Sequence, residues 1–121
     1  MKRQATGVLG EQLAADLVTR CGYSILETNY RVREGEADII AMDGDCLVCI
    51  EVRTKTSRVY GTPEESLTRL KKAHLTAVIN RYMGKMPKQP VNWRIDLVAI
   101  EMNSSGKVTR IDLIKNAVEE D

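Results

Sequence analysis

Residues 35–55 read GEADIIAMDGDCLVCIEVRTK, and this stretch decides the fold. It contains two mainly apolar runs, Glu36–Met42 and Cys46–Lys55, whose alternation and β-branched residues predict two strands. The Asp43-Gly44 pair between them is a typical hairpin signal. We therefore expect the two strands to pair antiparallel.

Acidic side chains of this hairpin fall on one face, because side chains alternate between the faces of a strand. Glu36 and Asp38 share a face of the first strand, and Glu51, Arg53 and Lys55 share a face of the second. A two-residue loop would place Glu36 opposite Glu51, and a four-residue loop would place Asp38 there. In either register Asp38 and Glu51 come close together.

Two neighbouring carboxylates repel each other unless a cation lies between them. Mg²⁺ is bound by oxygen ligands, usually one or two carboxylates with water, so the pair predicts a site for Mg²⁺ or Mn²⁺. The alternative is a solvated sheet edge at which these acids pair with Arg31, Arg53 or Lys55.

The rest of the chain predicts two helices and three further strands. They are a helix over Thr6–Cys21, a strand over Ser24–Tyr30, a helix from Thr62 and Pro63 to Met83, and strands over Trp93–Glu101 and Val108–Ile114. The order α-β-β-β-α-β-β indicates a mixed α/β fold, a five-stranded sheet flanked by helices, in a single domain of residues 1–121.

The second helix has the strongest predicted start, because Thr62 and Glu65 form a capping-box pattern around Pro63. A helix from that point places His74 on an apolar stripe, so we expect His74 to be a hydrogen-bonded core residue. In the following strand Asp96 could support the site side of the sheet or join a surface pair with Arg94, and we expect the surface pair.

Charge is unevenly distributed along the chain, although the net charge is only +1. Residues 53–94 carry +8, between segments of −4 and −3. The basic block predicts a phosphate-binding surface for DNA. Its alternatives are a solvated helix face and a surface for an acidic protein partner. The few aromatic residues favour recognition of duplex or branched shape over base stacking.

Composition also excludes some classes of protein. No apolar run approaches the roughly 18 residues that a membrane span needs, and no apolar signal region follows Lys2 and Arg3. Three cysteines do not suggest a disulfide framework. We expect a cytoplasmic protein that does not bind membranes.

Short motifs spread over nearly the whole chain resemble the YraN-like family of uncharacterised bacterial proteins. They are Gly10-Glu11, Gly22-Tyr23, Asn29-Tyr30-Arg31, residues 35–41, Glu51-Val52-Arg53, Gly61-Thr62-Pro63, residues 94–99 and residues 114–117. Asp38 with Glu51-Val52-Arg53 also resembles the D…(D/E)-x-K signature of restriction-endonuclease-like nucleases.

The resemblance implies a restriction-endonuclease-like fold related to Holliday junction resolvases and a metal-dependent endonuclease activity on DNA. It implies metal ligation by Asp38 and Glu51, with Glu11 assisting from the first helix, and a possible homodimer. Arg53 occupies the position of the signature lysine, with Lys55 two residues further on. Since arginine keeps its proton, the alternative is a non-catalytic nucleic-acid-binding module.

The implied site residues fall into two sets. The catalytic set is Glu11, Asp38, Glu51, Arg53 and Lys55, and the nucleic-acid-binding set is Arg31, Arg53, Lys55, Arg58, Arg69 and Lys72.

Overall fold

The structure is a computed structural model that describes the backbone of residues 2–117 and the side chains of residues 7–117. Its elements are α1 (Lys2–Arg20), β1 (Ser24–Val32), β2 (Gly35–Asp43), β3 (Cys46–Lys55), a 3₁₀ turn (Glu64–Ser66), α2 (Arg69–Gly84), β4 (Asn92–Met102) and β5 (Val108–Ile114). The predicted mixed α/β class and its order are confirmed. The predicted domain range also takes in residues 1 and 118–121, which lie outside the described residues.

The five strands form one sheet in the order β1-β2-β3-β4-β5. Neighbouring strands are antiparallel except β3 and β4, which are parallel. A parallel pair cannot be joined by a tight hairpin, so the connection from β3 to β4 carries α2 across the sheet.

The β2–β3 hairpin settles the register that the sequence left open. Asp43 pairs with Cys46 across the turn, and the last bridged pair is Ile39 with Ile50. Continuing that register by one residue places Asp38 opposite Glu51. The prediction that the two carboxylates meet is therefore confirmed, with Asp38 rather than Glu36 opposite Glu51, but the turn consists of the two residues Gly44 and Asp45 and not of four.

The two helices cover opposite faces of the sheet. Leu47 and Cys49 of β3 belong to the core cluster under α2, whereas Val48 and Ile50 belong to the cluster under α1. This alternation buries β3 on both sides along its apolar part. The charged end of the strand begins at Glu51, where the core ends.

Gly10 allows α1 to lie close to β3. A Cβ at Gly10 would come within 2.3 Å of Thr54 Oγ1, which is far shorter than a van der Waals contact. The helix stops where the sequence predicts, because Gly22 adopts a φ of +93° and the Tyr23 N–H donates to the Val18 carbonyl over 3.0 Å.

The predicted start of the second helix is wrong. The capping box forms, since Thr62 N donates to Glu65 Oε1 and Glu65 N to Thr62 Oγ1, but it opens only the 3₁₀ turn. Leu67 leaves helical geometry with a ψ of 79°, and Thr68 then caps α2 by accepting from Lys71 N. The helical phase therefore differs from the predicted one: Leu70 is 65% exposed and His74 is exposed rather than a core residue.

Asp96 is fully buried, so the expected surface pair is also wrong. Its carboxylate accepts from Tyr23 Oη over 2.7 Å, from Arg94 Nε over 2.9 Å and from Asn116 N over 2.9 Å. This network ties the end of α1 and the segment after β5 to the start of β4. Burying a carboxylate is tolerated here because these hydrogen bonds satisfy it.

The edge strand β1 is irregular in two places. Its register against β2 shifts between Ile25 and Glu27, and Asn29 adopts a left-handed φ of 51°. Most of its side chains are exposed, including the 42% exposed Leu26. Over the described range 2–117, no helix is both long and apolar enough to cross a membrane.

Candidate metal and phosphate site

A cavity of about 310 Å³ lies between β2, β3 and the first half of α2. Asp38 contributes from β2, Glu51 and Arg53 from β3, and Lys71 and His74 from α2. The cavity thus brings together two carboxylates, a guanidinium, an ammonium and an imidazole within a small volume. Antiparallel pairing brings the two strands together, and the crossover brings the helix over them.

Asp38 and Glu51 stand side by side in this cavity. The Val52 N–H donates to Asp38 Oδ2 over 2.8 Å, which fixes one oxygen of the Asp38 carboxyl. Glu51 lines the same cavity from the neighbouring strand. Burial first, and then the negative charge of Glu51, raise the pKa of Asp38 well above its usual range.

Glu51 is the most buried acid of the site, with 3% of its surface exposed. Lys71 Nζ donates to Glu51 Oε2 over 3.1 Å, and an Arg53 terminal nitrogen lies 3.5 Å from the same oxygen. One carboxylate oxygen therefore faces two cations. Their charge compensates the cost of burying Glu51 beside a second acid.

Arg53 is held on its other side by the 3₁₀ turn. Arg53 Nε donates to Ser66 Oγ over 2.9 Å, and Ser66 Oγ donates to the Pro63 carbonyl over 2.6 Å. The guanidinium is therefore positioned by a residue 13 places further along the chain. The sequence predicted Arg53 at the site but gave no sign of Ser66.

Glu11 does not line the cavity, although its charge adds to the raised pKa of Asp38. Among the side chains of residues 7–117, no three His, Cys, Asp or Glu residues converge to hold a metal ion by themselves. The structure thus brings together two of the three predicted metal ligands. Glu11 acts on the pair through its field.

The donor set fits a hard divalent cation. Two carboxylates can supply oxygen ligands, water can complete the shell in the cavity, and a divalent charge would relieve the repulsion that raises the Asp38 pKa. A soft metal fits poorly, because the described cavity lining contains no cysteine.

The predicted nucleic-acid-binding residues are only partly available. Arg58 makes two hydrogen bonds to Glu101, of 2.6 and 2.8 Å, and Arg31 pairs with Glu36 at 3.1 Å. The other predicted cations are Lys55, which ends β3, and Arg69 and Lys72, which lie in the first turn of α2. Lys55, Lys72 and Arg53 are half-buried and Arg69 is exposed, so the end of β3 and the start of α2 present the basic surface.

Lys71 and His74 are the site residues that sequence reasoning missed. Both were assigned to a helix that begins six residues too early, so their direction was wrong. A signal existed in Thr68, since threonine is a favoured N-cap residue and its oxygen can accept from the N–H three positions on. A helix capped by Thr68 leaves Leu67 outside it, so the apolar stripe from Leu67 no longer places His74 in the core.

The sheet and its acidic–basic cavity define a mixed α/β protein with a surface site able to hold a cation beside an anion. Residues 10–100 match the family model described as uncharacterised protein family UPF0102. The chain belongs to this family of YraN-like proteins, and the expected resemblance is confirmed at that level.

Relatives match almost end to end. A UPF0102 protein of Dehalococcoides mccartyi is 47% identical over 119 residues, 98% of this chain and 97% of that protein. One of Symbiobacterium thermophilum is 41% identical over 111 residues, covering 92% and 93% of the two chains. One of Moorella thermoacetica is 39% identical over 117 residues, covering 97% and 98%.

Proposed function

We propose that this protein is a divalent-metal-dependent endonuclease acting on duplex or branched DNA, with a restriction-endonuclease-like fold related to Holliday junction resolvases. The observation that carries the proposal is the pairing of Asp38 with Glu51 in a cavity that also holds Lys71 and Arg53. Metal-assisted phosphodiester hydrolysis combines carboxylates that hold the metal with cations that bind the phosphate.

Each residue has a role in this scheme. Asp38 and Glu51 hold Mg²⁺ or Mn²⁺, and Glu11 strengthens the negative field from α1. A divalent ion held by Asp38 and Glu51 would supply a water of lowered pKa and would stabilise charge on the scissile phosphate. Arg53, oriented by Ser66, donates to a phosphate oxygen, as a guanidinium does well.

The DNA backbone would follow the basic end of the sheet. Lys55, Arg69 and Lys72 lie at the end of β3 and the start of α2, next to the cavity-lining residues of the same elements. Phosphate contacts of this kind release counterions, so binding should weaken steeply as salt rises. DNA binding at low salt that is lost as salt is added would favour DNA over an acidic protein as the partner.

The experiment is strand cleavage of linear, nicked and four-way DNA with Mg²⁺ or Mn²⁺. Asp38→Ala and Glu51→Ala should each abolish cleavage, and Asp112→Ala is the matched control, because Asp112 is an exposed acid on β5. Cleavage that survives in both site variants would reject the proposal.

A non-catalytic nucleic-acid-binding module is the second candidate, favoured by Arg53. A guanidinium cannot give up its proton in a protein, so Arg53 cannot act as a base. This candidate predicts salt-sensitive DNA binding with no metal-dependent cleavage of any of the three substrates.

A further inference from the structure

Lys71 reaches the site from the helix rather than from the strand. It is the third residue of α2, and its backbone N–H donates to Oγ1 of the N-cap residue Thr68. From there its ammonium crosses to β3 and donates to Glu51 Oε2 over 3.1 Å, while 44% of its side chain remains exposed. The ammonium therefore touches a buried carboxylate and still faces the open cavity.

Arg53 and Lys71 differ in how firmly they are held. Arg53 bonds to Ser66 and so to the 3₁₀ turn, at a longer distance of 3.5 Å from Glu51. Among the side chains of residues 7–117, the Lys71 ammonium pairs with Glu51 alone, from the end of a flexible four-carbon stem. Lys71 is the cation of the pair that can change partner without disturbing the backbone.

The position of the ammonium matters for any cation that enters. Glu51 Oε2 is one of the oxygens that a divalent ion would use, and Lys71 already neutralises it. A second positive charge arriving a few ångströms away is repelled by the ammonium, so the ammonium opposes metal binding at this oxygen. The same ammonium can donate to a phosphate oxygen bound in the cavity.

We propose that Lys71 is the lysine of this site, with two linked functions. In the metal-free protein its ammonium neutralises Glu51. Once a divalent ion binds Asp38 and Glu51, the ammonium turns to the scissile phosphate and donates a hydrogen bond to it. This inference rests on the proposed function for its second part only, because competition with a metal for Glu51 requires no DNA.

The first test measures Mn²⁺ binding to the full chain without DNA, by the loss of the free-ion electron paramagnetic resonance signal. Lys71→Met should bind Mn²⁺ roughly tenfold more tightly than the unmodified protein, because a repelling charge is gone. Lys71→Arg keeps the charge and should stay within about twofold. Lys107→Met in the exposed β4–β5 turn is the control for net charge, also within about twofold.

The second test measures cleavage at saturating Mn²⁺. Lys71→Met should cleave roughly a hundredfold more slowly despite binding the metal more tightly, since one donor to a developing charge is worth about that much. A merely structural ion pair predicts no such opposition between affinity and rate. Circular dichroism of each variant checks that the fold is intact.

The outcomes separate the two proposals. Unchanged Mn²⁺ affinity in Lys71→Met, or an equal rise in Lys71→Arg, would overturn the role of Lys71 at Glu51. Tighter Mn²⁺ binding together with full-rate cleavage would overturn its role at the phosphate. If the unmodified protein cleaves no DNA while Lys71→Met still binds Mn²⁺ more tightly, the endonuclease proposal fails and the competition at Glu51 stands.

Discussion

Asp38 and Glu51 line the same cavity from neighbouring strands, one register position beyond the Ile39–Ile50 pair, and Glu51 is only 3% exposed. Two acids in that arrangement oppose folding whenever both are ionised. Arg53 and Lys71 compensate only Glu51 directly. The arrangement is understandable as a site that gains its full balance of charge from a bound cation.

Asp38→Asn should stabilise the metal-free protein. The raised pKa of Asp38 means that the fold prefers the protonated acid, so its contribution to stability is lost as pH rises above the ordinary value of 3.8. The amide cannot ionise and its oxygen can still accept from Val52. We expect the free energy of unfolding of Asp38→Asn to exceed that of the unmodified protein by about 1–3 kcal/mol at pH 8. This difference should shrink towards pH 4.

Urea denaturation in EDTA measures this gap, with Asp45→Asn in the exposed β2–β3 turn as control. Added Mn²⁺ should reverse the order, because it stabilises only the chain that binds it. A gap that does not depend on pH would contradict the raised pKa.

Gly10→Ala and Gly7→Ala should have opposite effects although both lie in α1. A Cβ at Gly10 meets Thr54 Oγ1 at 2.3 Å, whereas a Cβ at Gly7 meets nothing within 4 Å. Since threonine is stiff about χ1, we expect Gly10→Ala to cost about 1–3 kcal/mol. Gly7→Ala should gain up to about 1 kcal/mol from helix propensity.

Thermal or urea unfolding compares these variants directly. Thr54→Ala in the Gly10→Ala background should recover most of the loss, because it removes the colliding oxygen. If Gly10→Ala is as stable as Gly7→Ala, α1 does not lie as close to β3 as described.

Asp96→Ala should be the most destabilising of these single changes. It strips Arg94, the Tyr23 hydroxyl and the Asn116 N–H of a fully buried partner. Removing one member of such a network costs about 3–5 kcal/mol. Hydrogen exchange at the Asn116 amide should rise as well, since its acceptor is gone.

Asp112→Ala, at an exposed position of β5, is the matched control for Asp96 and should stay within about 0.5 kcal/mol of the unmodified protein. Equal stability of the two variants would show that Asp96 is not the centre of the network.

Glu101→Gln should change how the free energy of unfolding depends on pH in the acid range. Hydrogen bonds from Arg58 and then Arg110 lower the pKa of Glu101 from 4.5 to about 2. A lowered pKa means that the stabilisation is present above pH 4.5 and is lost as pH falls through 2. The stability gap between the unmodified protein and Glu101→Gln should therefore narrow over this window.

Denaturation at pH 7, 4 and 2.5 measures the difference in free energy of unfolding between the unmodified protein and Glu101→Gln. Glu27→Gln, on the exposed strand β1, is the charge-matched control for the loss of one carboxylate. A constant gap for Glu101→Gln would argue that the two arginines do not hold its carboxylate.

The carboxylate pair could be predicted from the sequence because its cause is local. Strand alternation places Asp38 and Glu51 on chosen faces, and the Asp-Gly signal joins the strands into a hairpin. Only the register remained open, since it depends on which residues make the turn, and the structure uses Gly44 and Asp45 rather than Asp43 and Gly44.

The contribution of α2 could not be predicted in the same way. A capping box reports that a helical turn starts, not how many turns follow, and here Leu67 ends it after one. The resulting error in phase misplaced His74 and hid Lys71. The pairs Arg58–Glu101 and Tyr23–Asp96 join residues 43 and 73 positions apart, and no local pattern announces contacts of that range.

The irregular edge strand bears on how the protein behaves when crowded. An open sheet edge offers unpaired backbone groups on which a second molecule can add a strand, the first step towards aggregates. In β1 the shift between Ile25 and Glu27 and the left-handed Asn29 break the even spacing of those groups. We therefore expect this side of the molecule to resist polymerisation by strand addition, even though Leu26, the most exposed large apolar side chain of β1, lies there.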